Sequence, residues 1–369
     1  MRTEELERLA KRRKLDLILV ADQANIRALT GINCDNAVLE VSRFRGFEVL
    51  KFGISLYTDF RYIPMVHRVA PKLKCRDIKR FGTGKHIPRA QRAAKQALCG
   101  VSPDRFNRVG YESSISHARF LEWKKKFPKA KFVDISKDLA AIRAVKTPDE
   151  IAALRAAEKL SCKIWETARG RFKAGMTERQ MARIIQKLMI EKGEGEAFDT
   201  IVCVGKNAAE CHHEPDDTVW NGREPVLVDM GVKLNGVCSD LTRNHFNTEA
   251  QRHRGLYGKV YDLVLKANLA AIAAAKPGLT GKALDKVARD VIREGGFGKC
   301  FGHSLGHGVG YEIHEAPYAS KKGDMVLKPG MLVTIEPGIY LEDNLGVRIE
   351  DLILITETGC EVLSSNASK

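Results

Sequence analysis

The sequence lacks the cysteine spacing of a disulfide framework. Nine cysteines are scattered over 369 residues, and no two of them form a CxxC pair. Such cysteines are typical of reduced thiols, which favours a cytoplasmic protein. No apolar run is long enough to span a membrane, and the first residues, MRTEELERLAKRRK, are too charged for a secretory signal. The sequence therefore predicts no membrane association.

Acidic residues are scarce in the first part of the chain. Residues 1–146 carry a net charge of +17, whereas the remainder carries −2. This asymmetry predicts two domains with different surfaces. Basic clusters such as Lys124-Lys125-Lys126 could attract nucleic acid, but no aromatic-interleaved RNA motif or recognisable DNA-binding motif accompanies them. We therefore expect a solvated basic face, or one that meets a neighbouring subunit, and no nucleic-acid partner.

The first domain, residues 1–143, shows the alternation of strands and helices that is typical of an α/β fold. An amphipathic helix precedes a buried strand at residues 15–20, and Lys51-Phe52-Gly53 is interpreted as a turn between two strands. The remaining predictions are strands at 47–50, 54–57 and 131–133, and a helix at 88–98.

The second domain, residues 144–369, begins with a strong helix signal and contains an internal repeat. Thr147-Pro148-Asp149-Glu150 combines an N-cap, a proline at the first helical position and a capping-box glutamate. The strings KAGMT at 173–177 and KPGLT at 276–280 each start a helix, which is followed by phenylalanine and a glycine-containing strand. The repeat predicts a duplicated α/β half with a site at the pseudo-twofold interface.

Two aspartates flank a β-hairpin signal. The apolar runs at 226–232 and 237–242 are separated by Leu234-Asn235-Gly236, and Asn-Gly favours a two-residue turn. In that register Gly231 faces Asp240, and Asp229 points to the same side of the sheet. The apolar residues around the two aspartates argue against an exposed surface hairpin that merely carries acidic side chains. We therefore expect both carboxylates to share cations.

Histidines are few, ten in all, and several cluster with glycine. His303, His307 and His314 fall within twelve residues and are interleaved with four glycines, which allow close approach of the backbone to a metal or ligand. A single buried histidine is more often a satisfied core residue, but three together favour a site. His212 and His213 form a separate pair.

Two glutamates complete the candidate site. Glu336 ends a strand and is followed by Pro337-Gly338, whereas Glu350 lies inside an apolar strand predicted at 346–355. A carboxylate in such a strand is costly unless it is paired or binds a metal. Arg348, two residues earlier on the same face, is the alternative partner for Glu350 or could bind a substrate oxyanion.

Four carboxylates and one imidazole form a hard, oxygen-rich donor set that favours two divalent ions over a single zinc. Two such ions can activate a water and polarise a carbonyl, which predicts metal-assisted hydrolysis. The five residues lie in the motifs VDMG, CSDLTR, GHSLGHGVGYEIHE, TIEPG and VRIED.

Together these motifs resemble those of the pita-bread metallopeptidases: methionine aminopeptidase, aminopeptidase P and prolidase. In the first half, NIRALTG at 25–31 and LYTDFRY at 56–62 are similar to the creatinase-type N-terminal domain, which methionine aminopeptidase lacks. The resemblance therefore implies the proline-peptidase branch. The expected fold is a creatinase-type α/β domain followed by a duplicated pita-bread catalytic domain.

The resemblance also implies roles for individual residues. It makes Asp229, Asp240, His307, Glu336 and Glu350 the ligands of two divalent ions, with manganese first and cobalt or zinc as alternatives. Glu336 would also act as general base on the water and then as acid toward the proline nitrogen. His212 would lie near the substrate, His314 would steady the tetrahedral intermediate and His303 would line the pocket. It further implies a homodimer.

The expected substrate is a peptide with proline in second position. At position 318, where many dipeptidases carry an arginine that binds the dipeptide carboxylate, this chain has Tyr318. A tyrosine hydroxyl is a weaker carboxylate anchor than a guanidinium, which favours aminopeptidase action on longer Xaa-Pro peptides. Another basic residue, including one from a second subunit, would restore dipeptide recognition and make the enzyme a prolidase.

Two further interpretations belong to other classes. One is a pita-bread module that has lost catalysis and binds protein or nucleic acid through the basic first domain. The other is creatinase-like, metal-free C–N hydrolysis. The full set of five ligands argues against both.

Overall fold

The structure is a computed structural model that describes residues 2–34, 37–45, 50–59, 61–77, 106–253 and 255–369. The chain forms two compact units, Met1–Arg143 and Ala144–Lys369. The helix predicted at 88–98 and residues 47–49 of a predicted strand lie outside the described residues.

The described residues of the first unit form a mixed sheet of six strands in the order β4-β3-β2-β1-β5-β6. Strand β1 pairs antiparallel with β2 and parallel with β5. The elements are α1 Thr3–Arg13, β1 Leu17–Val20, α2 Gln23–Thr30, β2 Val38–Arg45, β3 Leu50–Thr58, α3 Ile63–Val69, β4 Lys74–Asp77, β5 Arg108–Tyr111, α4 His117–Lys126, β6 Lys131–Asp134 and α5 Ser136–Ala144.

Helices cover both faces of this sheet. Successive residues of the central strand β1 point to opposite sides, so they pack against different helices. Ile18 packs in the cluster that contains Leu9 of α1, whereas Leu19 packs in the cluster that contains Trp123 of α4. The α/β prediction for this unit is therefore confirmed, with the buried strand starting at Leu17 instead of at residue 15.

The turn predicted at Lys51-Phe52-Gly53 is wrong. These residues lie inside β3, where Gly53 pairs with Ser42 and Lys51 with Phe44. The eight-residue antiparallel pairing of β3 with β2 runs through all three residues and outweighs the weak turn preference of one glycine.

The second unit combines helices with several short sheets. Its elements are α6 Pro148–Arg169, α7 Glu178–Lys192, β7 Ile201–Val204, β8 Val226–Met230, β9 Lys233–Leu234, β10 Val237–Cys238, β11 Leu241–His245, α8 Glu249–Arg252, α9 Gly255–Ala274, α10 Gly281–Glu294, β12 Gly306–Gly308, β13 Glu315–Ala319, β14 Leu332–Ile335, β15 Gly338–Leu341, β16 Leu345–Arg348, β17 Asp351–Ile355 and β18 Cys360–Val362, with 3₁₀ turns at Gly205–Ala209 and Gly298–Cys300.

The helix signals of this unit are confirmed. Thr147 caps α6 and forms a reciprocal capping box with Glu150. Thr177 and Thr280 accept hydrogen bonds from the first turns of α7 and α10 and so cap the two helices of the repeat. Each repeat therefore starts a helix where the sequence predicts one.

Each half of the second unit has its own apolar core. In the first half, α6 and α7 pack on β7, β8 and β11 through residues such as Trp165, Ile185 and Val228. In the second half, α9 and α10 pack on β14, β16 and β17 through residues such as Val264 and Ile353. Strands of both halves lead to one cavity.

Candidate metal centre and active-site cavity

The hairpin register predicted from Asn235-Gly236 is confirmed. Both residues have positive φ, Leu234 pairs with Val237, and Asp229 lies opposite Thr242. Asp240 directly precedes β11. Burial and neighbouring charges, that of Asp229 included, raise its pKa, so the carboxylates of Asp229 and Asp240 lie close together. The first half of the unit thus supplies two acidic side chains to the cavity.

The second half supplies the imidazole of His307. Its neighbour Gly306 lies against β14, and a Cβ at this position would come 1.9 Å from the carbonyl oxygen of Thr334. The hydroxyl of Thr334 accepts a hydrogen bond from the backbone N–H of His307 at 3.0 Å. This close packing brings His307 Nε2 to 3.5 Å from Asp240 Oδ2 and 3.3 Å from Glu336 Oε1.

Both glutamates lie at strand ends in the second half. Glu336 follows β14, as predicted, but Glu350 does not lie inside a continuous strand. The predicted strand is divided into β16 and β17, which pair with different partners, and Glu350 lies in the break. Its Oε2 accepts a hydrogen bond from Thr242 Oγ1 at 2.7 Å.

One amide group supports the backbone beside both glutamates. Asn268 of α9 is fully buried, and its Nδ2 donates to the carbonyl oxygens of Ile335 at 3.0 Å and Ile349 at 3.4 Å. These residues immediately precede Glu336 and Glu350. A single side chain of the helix therefore contacts the backbone beside both glutamates, in addition to the apolar packing of α9 on these strands.

The buried carboxylates repel each other when no cation lies between them. Burial raises the pKa of Asp240 and of Glu350 well above the usual range, and neighbouring carboxylates raise it further. Burial also raises the pKa of Glu336 to about 8, although the charge of Arg348 opposes that shift. Such a cluster is costly to ionise unless positive charge is added.

These residues fit divalent cations. Asp240, His307 and Glu350 each offer a ligand atom, and these atoms lie within 4.8 Å of one another. Burial lowers the pKa of His307 to about 4, so its imidazole is neutral at pH 7 and can serve as a ligand. Asp229 Oδ1 is buried and has no hydrogen-bond partner among the described residues. Carboxylate oxygens with one imidazole are suitable donors for hard divalent ions.

The interpretation of Arg348 as a partner of Glu350 needs correction. Its guanidinium pairs instead with Asp229, at 2.6 Å between Nη2 and Oδ2. It also donates to Tyr340 Oη at 2.9 Å and to Thr242 Oγ1 at 3.2 Å. Because β16 ends at Arg348, the two residues belong to differently directed segments, and the same-face argument for one strand does not apply.

A cavity of about 440 Å³ contains these groups. Its lining includes every residue that the sequence associates with substrate: His212, His303, His314, Tyr318 and Arg348. It also includes Asp229, Asp240, His307, Glu336 and Glu350.

The substrate-side histidines occupy different positions in the cavity. The ring of His314 stacks edge-on against that of His307, with centroids 4.3 Å apart. His303 Nε2 is 2.9 Å from Tyr340 Oη, and burial lowers the pKa of His303 to about 4. Tyr318 pairs with His307 across β12 and β13 and is 47 % exposed at the rim.

Comparison with known proteins identifies the family. Residues 152–357 match the profile of "Metallopeptidase family M24", and residues 2–145 match "Creatinase/Prolidase N-terminal domain". The chain belongs to metallopeptidase family M24. Together with the relatives below, this membership makes it a metallo-exopeptidase of the pita-bread, proline-peptidase branch.

Relatives of this M24 chain include named proline peptidases. The "Xaa-Pro dipeptidase" of Pyrococcus furiosus is 39% identical over 260 residues, which are 69% of this chain and 73% of that protein. The structure "Prolidase from Pyrococcus furiosus" has a TM-score of 0.81 at 32% identity and covers 97% of this chain and 98% of that one. The X-Pro aminopeptidase from Thermotoga maritima has a TM-score of 0.81 at 30% identity, with 97% of each chain covered.

Two supporting residues of the M24 site were missed by sequence analysis. Tyr340 connects His303 to Arg348, and Thr242 connects Arg348 to Glu350. The signal for Thr242 was present, because it lies two residues after Asp240 and shares its face of the strand. No spacing rule identifies Tyr340, since its contacts depend on how β15 and β16 fold together.

Within the described parts of the chain, no helix has the length and apolarity of a membrane span.

Proposed function

We propose that this M24 peptidase is a two-metal Xaa-Pro aminopeptidase that removes the first residue from peptides with proline in second position. The relatives support action on Xaa-Pro bonds, since they include an Xaa-Pro dipeptidase and an X-Pro aminopeptidase. The observation that carries the preference for longer peptides is the charge of the cavity lining.

The cavity offers little to bind the free carboxylate of a dipeptide. Among the described residues that line it there is no lysine, and its single arginine, Arg348, is paired with Asp229. At the rim, Asp199 and Glu214 add negative charge. A dipeptide would bring its carboxylate into this environment, whereas a longer peptide carries a neutral amide at the same place.

The proposed ligands of the two ions are Asp229, Asp240, His307, Glu336 and Glu350, with manganese as the first choice and cobalt or zinc as alternatives. When bound, these ions would supply Lewis acidity and lower the pKa of an attacking water. Their positive charge would also offset the mutual repulsion of the buried carboxylates.

The protein groups would then handle orientation and proton transfer. Glu336, which accepts a hydrogen bond from Thr334 at 3.2 Å, would take the proton from the water and pass it to the proline nitrogen. His314 would donate to the developing oxyanion, while His212 and His303 would contact the peptide. An unprotonated amide nitrogen is too basic to leave as an anion, so the departing proline nitrogen needs this proton.

The test is a comparison of substrates that differ in one charge. After manganese loading, hydrolysis of Xaa-Pro, Xaa-Pro-NH₂ and Xaa-Pro-Yaa is measured with the same first residue. We expect the amide and the tripeptide to have higher kcat/KM than the dipeptide. Cleavage of the dipeptide alone would establish the prolidase alternative, which the Pyrococcus furiosus relative favours. Failure to cleave any of them would favour an inactive binding module.

The assembly and location remain predictions. We propose a homodimer in the cytoplasm, with the basic face of the first domain solvated or directed at a neighbouring subunit. Size-exclusion chromatography with light scattering would test the dimer. An RNA or DNA shift assay at physiological salt would test the expected lack of nucleic-acid binding.

A further inference from the structure

A buried carboxylate outside the cavity holds the segment that forms one of its walls. Glu178 is the first residue of α7 and is fully buried. Its Oε1 accepts hydrogen bonds from the Val204 backbone N–H at 2.6 Å and from Asn207 Nδ2 at 2.9 Å. Its Oε2 accepts from the Asp216 backbone N–H at 3.1 Å and lies 2.7 Å from His213 Nε2.

All four partners belong to residues 204–216. This segment leaves β7, crosses the 3₁₀ turn Gly205–Ala209 and carries Cys211 and His212, both of which line the cavity. The carboxylate of Glu178 thus contacts the start, the middle and the end of the segment. His213 is its only contact that is adjacent in sequence to His212.

The arrangement satisfies a buried charge without a metal ion. Glu178 lies at a helix N-terminus, where the helix dipole favours an anion, and four donors complete its coordination. Burial lowers the pKa of His213, but the hydrogen bond and charge of Glu178 outweigh it, with help from Glu210 and Asp216, and the net pKa is raised. The imidazole and the carboxylate therefore stabilise each other.

Donor atoms of Glu178, His213 and Asp216 also lie within 4.8 Å of one another, a spacing that a metal ion could use. However, two ligands of one tetrahedral zinc ion lie about 3.3 Å apart, given zinc–nitrogen distances of about 2.0 Å. The 2.7 Å between His213 Nε2 and Glu178 Oε2 is instead a hydrogen-bond distance. A network of hydrogen bonds explains this cluster better than a third metal does.

We propose that Glu178 and His213 are positioning residues, which hold His212 in its place in the cavity by fixing the segment 204–216. The inference rests on the proposed peptidase function, because its consequence is a better-oriented substrate contact. Glu178 does not line the cavity. His213 does line it, but its two ring nitrogens face the carboxylates of Glu178 and Glu210, so we assign it a role through His212 and no contact with the substrate.

A cycle of variants separates positioning from a general loss of structure. His213→Ala should lower kcat/KM for an Xaa-Pro-Yaa peptide by roughly 10- to 100-fold, as misplacement of an active-site group does. In a His212→Ala background the same change should cost nothing further. His213→Gln, whose side-chain amide can donate to Glu178, should recover most of the activity. Equal losses in both backgrounds would overturn the proposal.

Arg179→Ala is the matched control. Arg179 follows Glu178 in the helix, but its ion pair with Asp217 is exposed, with 45% and 79% of the two side chains accessible. We expect activity and unfolding midpoint to stay unchanged. Glu178→Gln tests the contact between Glu178 and His213 from the carboxylate side, and its kcat/KM should resemble that of His213→Ala.

A second measurement does not depend on activity. In metal-free protein, imidazole NMR signals of His212 should shift in His213→Ala and return in His213→Gln, and amide exchange of residues 204–216 should accelerate only in the former. Unchanged signals and exchange would overturn the proposal. If the wild type cleaves no Xaa-Pro peptide while these changes occur, the proposed function fails and the positioning stands. A loss of one bound metal ion per chain in His213→Gln would identify a metal site instead.

Discussion

The two halves of the M24 unit begin their repeated helices with the same backbone contacts but differ in the residue that follows each cap. In the first half, the backbone N–H groups of Glu178 and Arg179 donate to the carbonyls of Thr218 and Asp216. In the second half, those of Gly281 and Lys282 donate to Met325 and Gly323. Thr177 and Thr280, the capping residues, each form an isolated bridge, with Val219 and Val326.

The residue after the cap differs because its surroundings differ. A Cβ at Gly281 would lie 2.0 Å from the carbonyl oxygen of Tyr318, so strand β13 leaves no room for a side chain. At the equivalent place in the first half, the strand is replaced by residues 204–216, and Glu178 fills the space with a carboxylate. The same capped helix start thus packs closely against a strand in the second half and holds a loop by hydrogen bonds in the first half.

The halves also contribute different ligands, and substitution of one from each half should have the largest effect. Asp240→Asn and His307→Ala should each reduce kcat/KM at least about 1000-fold, because metal ions supply several kcal/mol of transition-state stabilisation. Chelation with EDTA should match this loss in the wild type. Metal content by mass spectrometry and hydrolysis of an Xaa-Pro-Yaa peptide are the measurements. Full activity in either variant would contradict the two-metal assignment.

The general-base role of Glu336 can be separated from its role as a ligand. Glu336→Gln keeps an oxygen donor but removes the proton acceptor, and we expect a loss of about 100- to 10,000-fold in kcat. Metal content at saturating manganese should fall much less than in His307→Ala. Retained hydrolysis in a metal-loaded Gln variant would remove Glu336 from the proton-transfer step.

Gly281→Ala tests the close packing of the second half. The added methyl group would collide with the Tyr318 backbone, and we expect the free energy of unfolding to fall by about 1–3 kcal/mol. Denaturant unfolding measures it, with Lys282→Ala at the next, exposed position as the control. A neutral Gly281→Ala would mean that β13 can move away from α10, and the contrast between the halves would disappear.

Tyr318→Arg tests whether the residue at the cavity rim decides between dipeptides and longer peptides. A guanidinium placed there can bind the carboxylate of an Xaa-Pro dipeptide, and we expect kcat/KM for dipeptides to rise about tenfold, equivalent to about 1.4 kcal/mol. The rate on Xaa-Pro-NH₂ should not rise. A gain on both substrates would show that the new charge acts on something other than the free carboxylate.

The smallest effect concerns a histidine in the core of the first half. Among the described residues neither ring nitrogen of His245 has a hydrogen-bond partner, whereas in the second half both ring nitrogens of His303 and Nδ1 of His307 have one. Burial lowers the pKa of His245 to about 4 from the ordinary 6.5, so the unfolded chain binds more protons between these values. Stability from this group is present above pH 6.5 and is lost as the pH falls toward 4.

His245→Phe should remove that dependence. Between pH 7 and pH 5.5 the wild type should lose about 1 kcal/mol more unfolding free energy than the variant. Parallel denaturant titrations at both pH values measure the difference. The same pH response in both proteins would show that the imidazole finds a partner or is hydrated in the folded state.

Local signals in the sequence were sufficient for the hairpin and the helix starts. A two-residue Asn-Gly turn determines the strand register, so the placement of Asp229 beside Asp240 followed from the spacing. Capping at Thr147 is likewise a matter of four consecutive residues. These features depend on short stretches of chain and needed no knowledge of tertiary packing.

Features that depend on distant segments were not predictable. The turn predicted at Lys51-Phe52-Gly53 was wrong because it ignored the pairing of these residues with β2. The break before Glu350 arises because β16 and β17 pair with different strands, and that break also turns Arg348 toward Asp229. Contacts between Glu178 and His213, 35 residues apart, likewise appear only once the fold is assembled.

The single amide of Asn268 has a mechanical consequence. Because Nδ2 contacts the backbone before both Glu336 and Glu350, a displacement of α9 moves both attachment points in the same direction. We therefore expect motion of this helix to shift the two glutamates together more than it changes the distance between them.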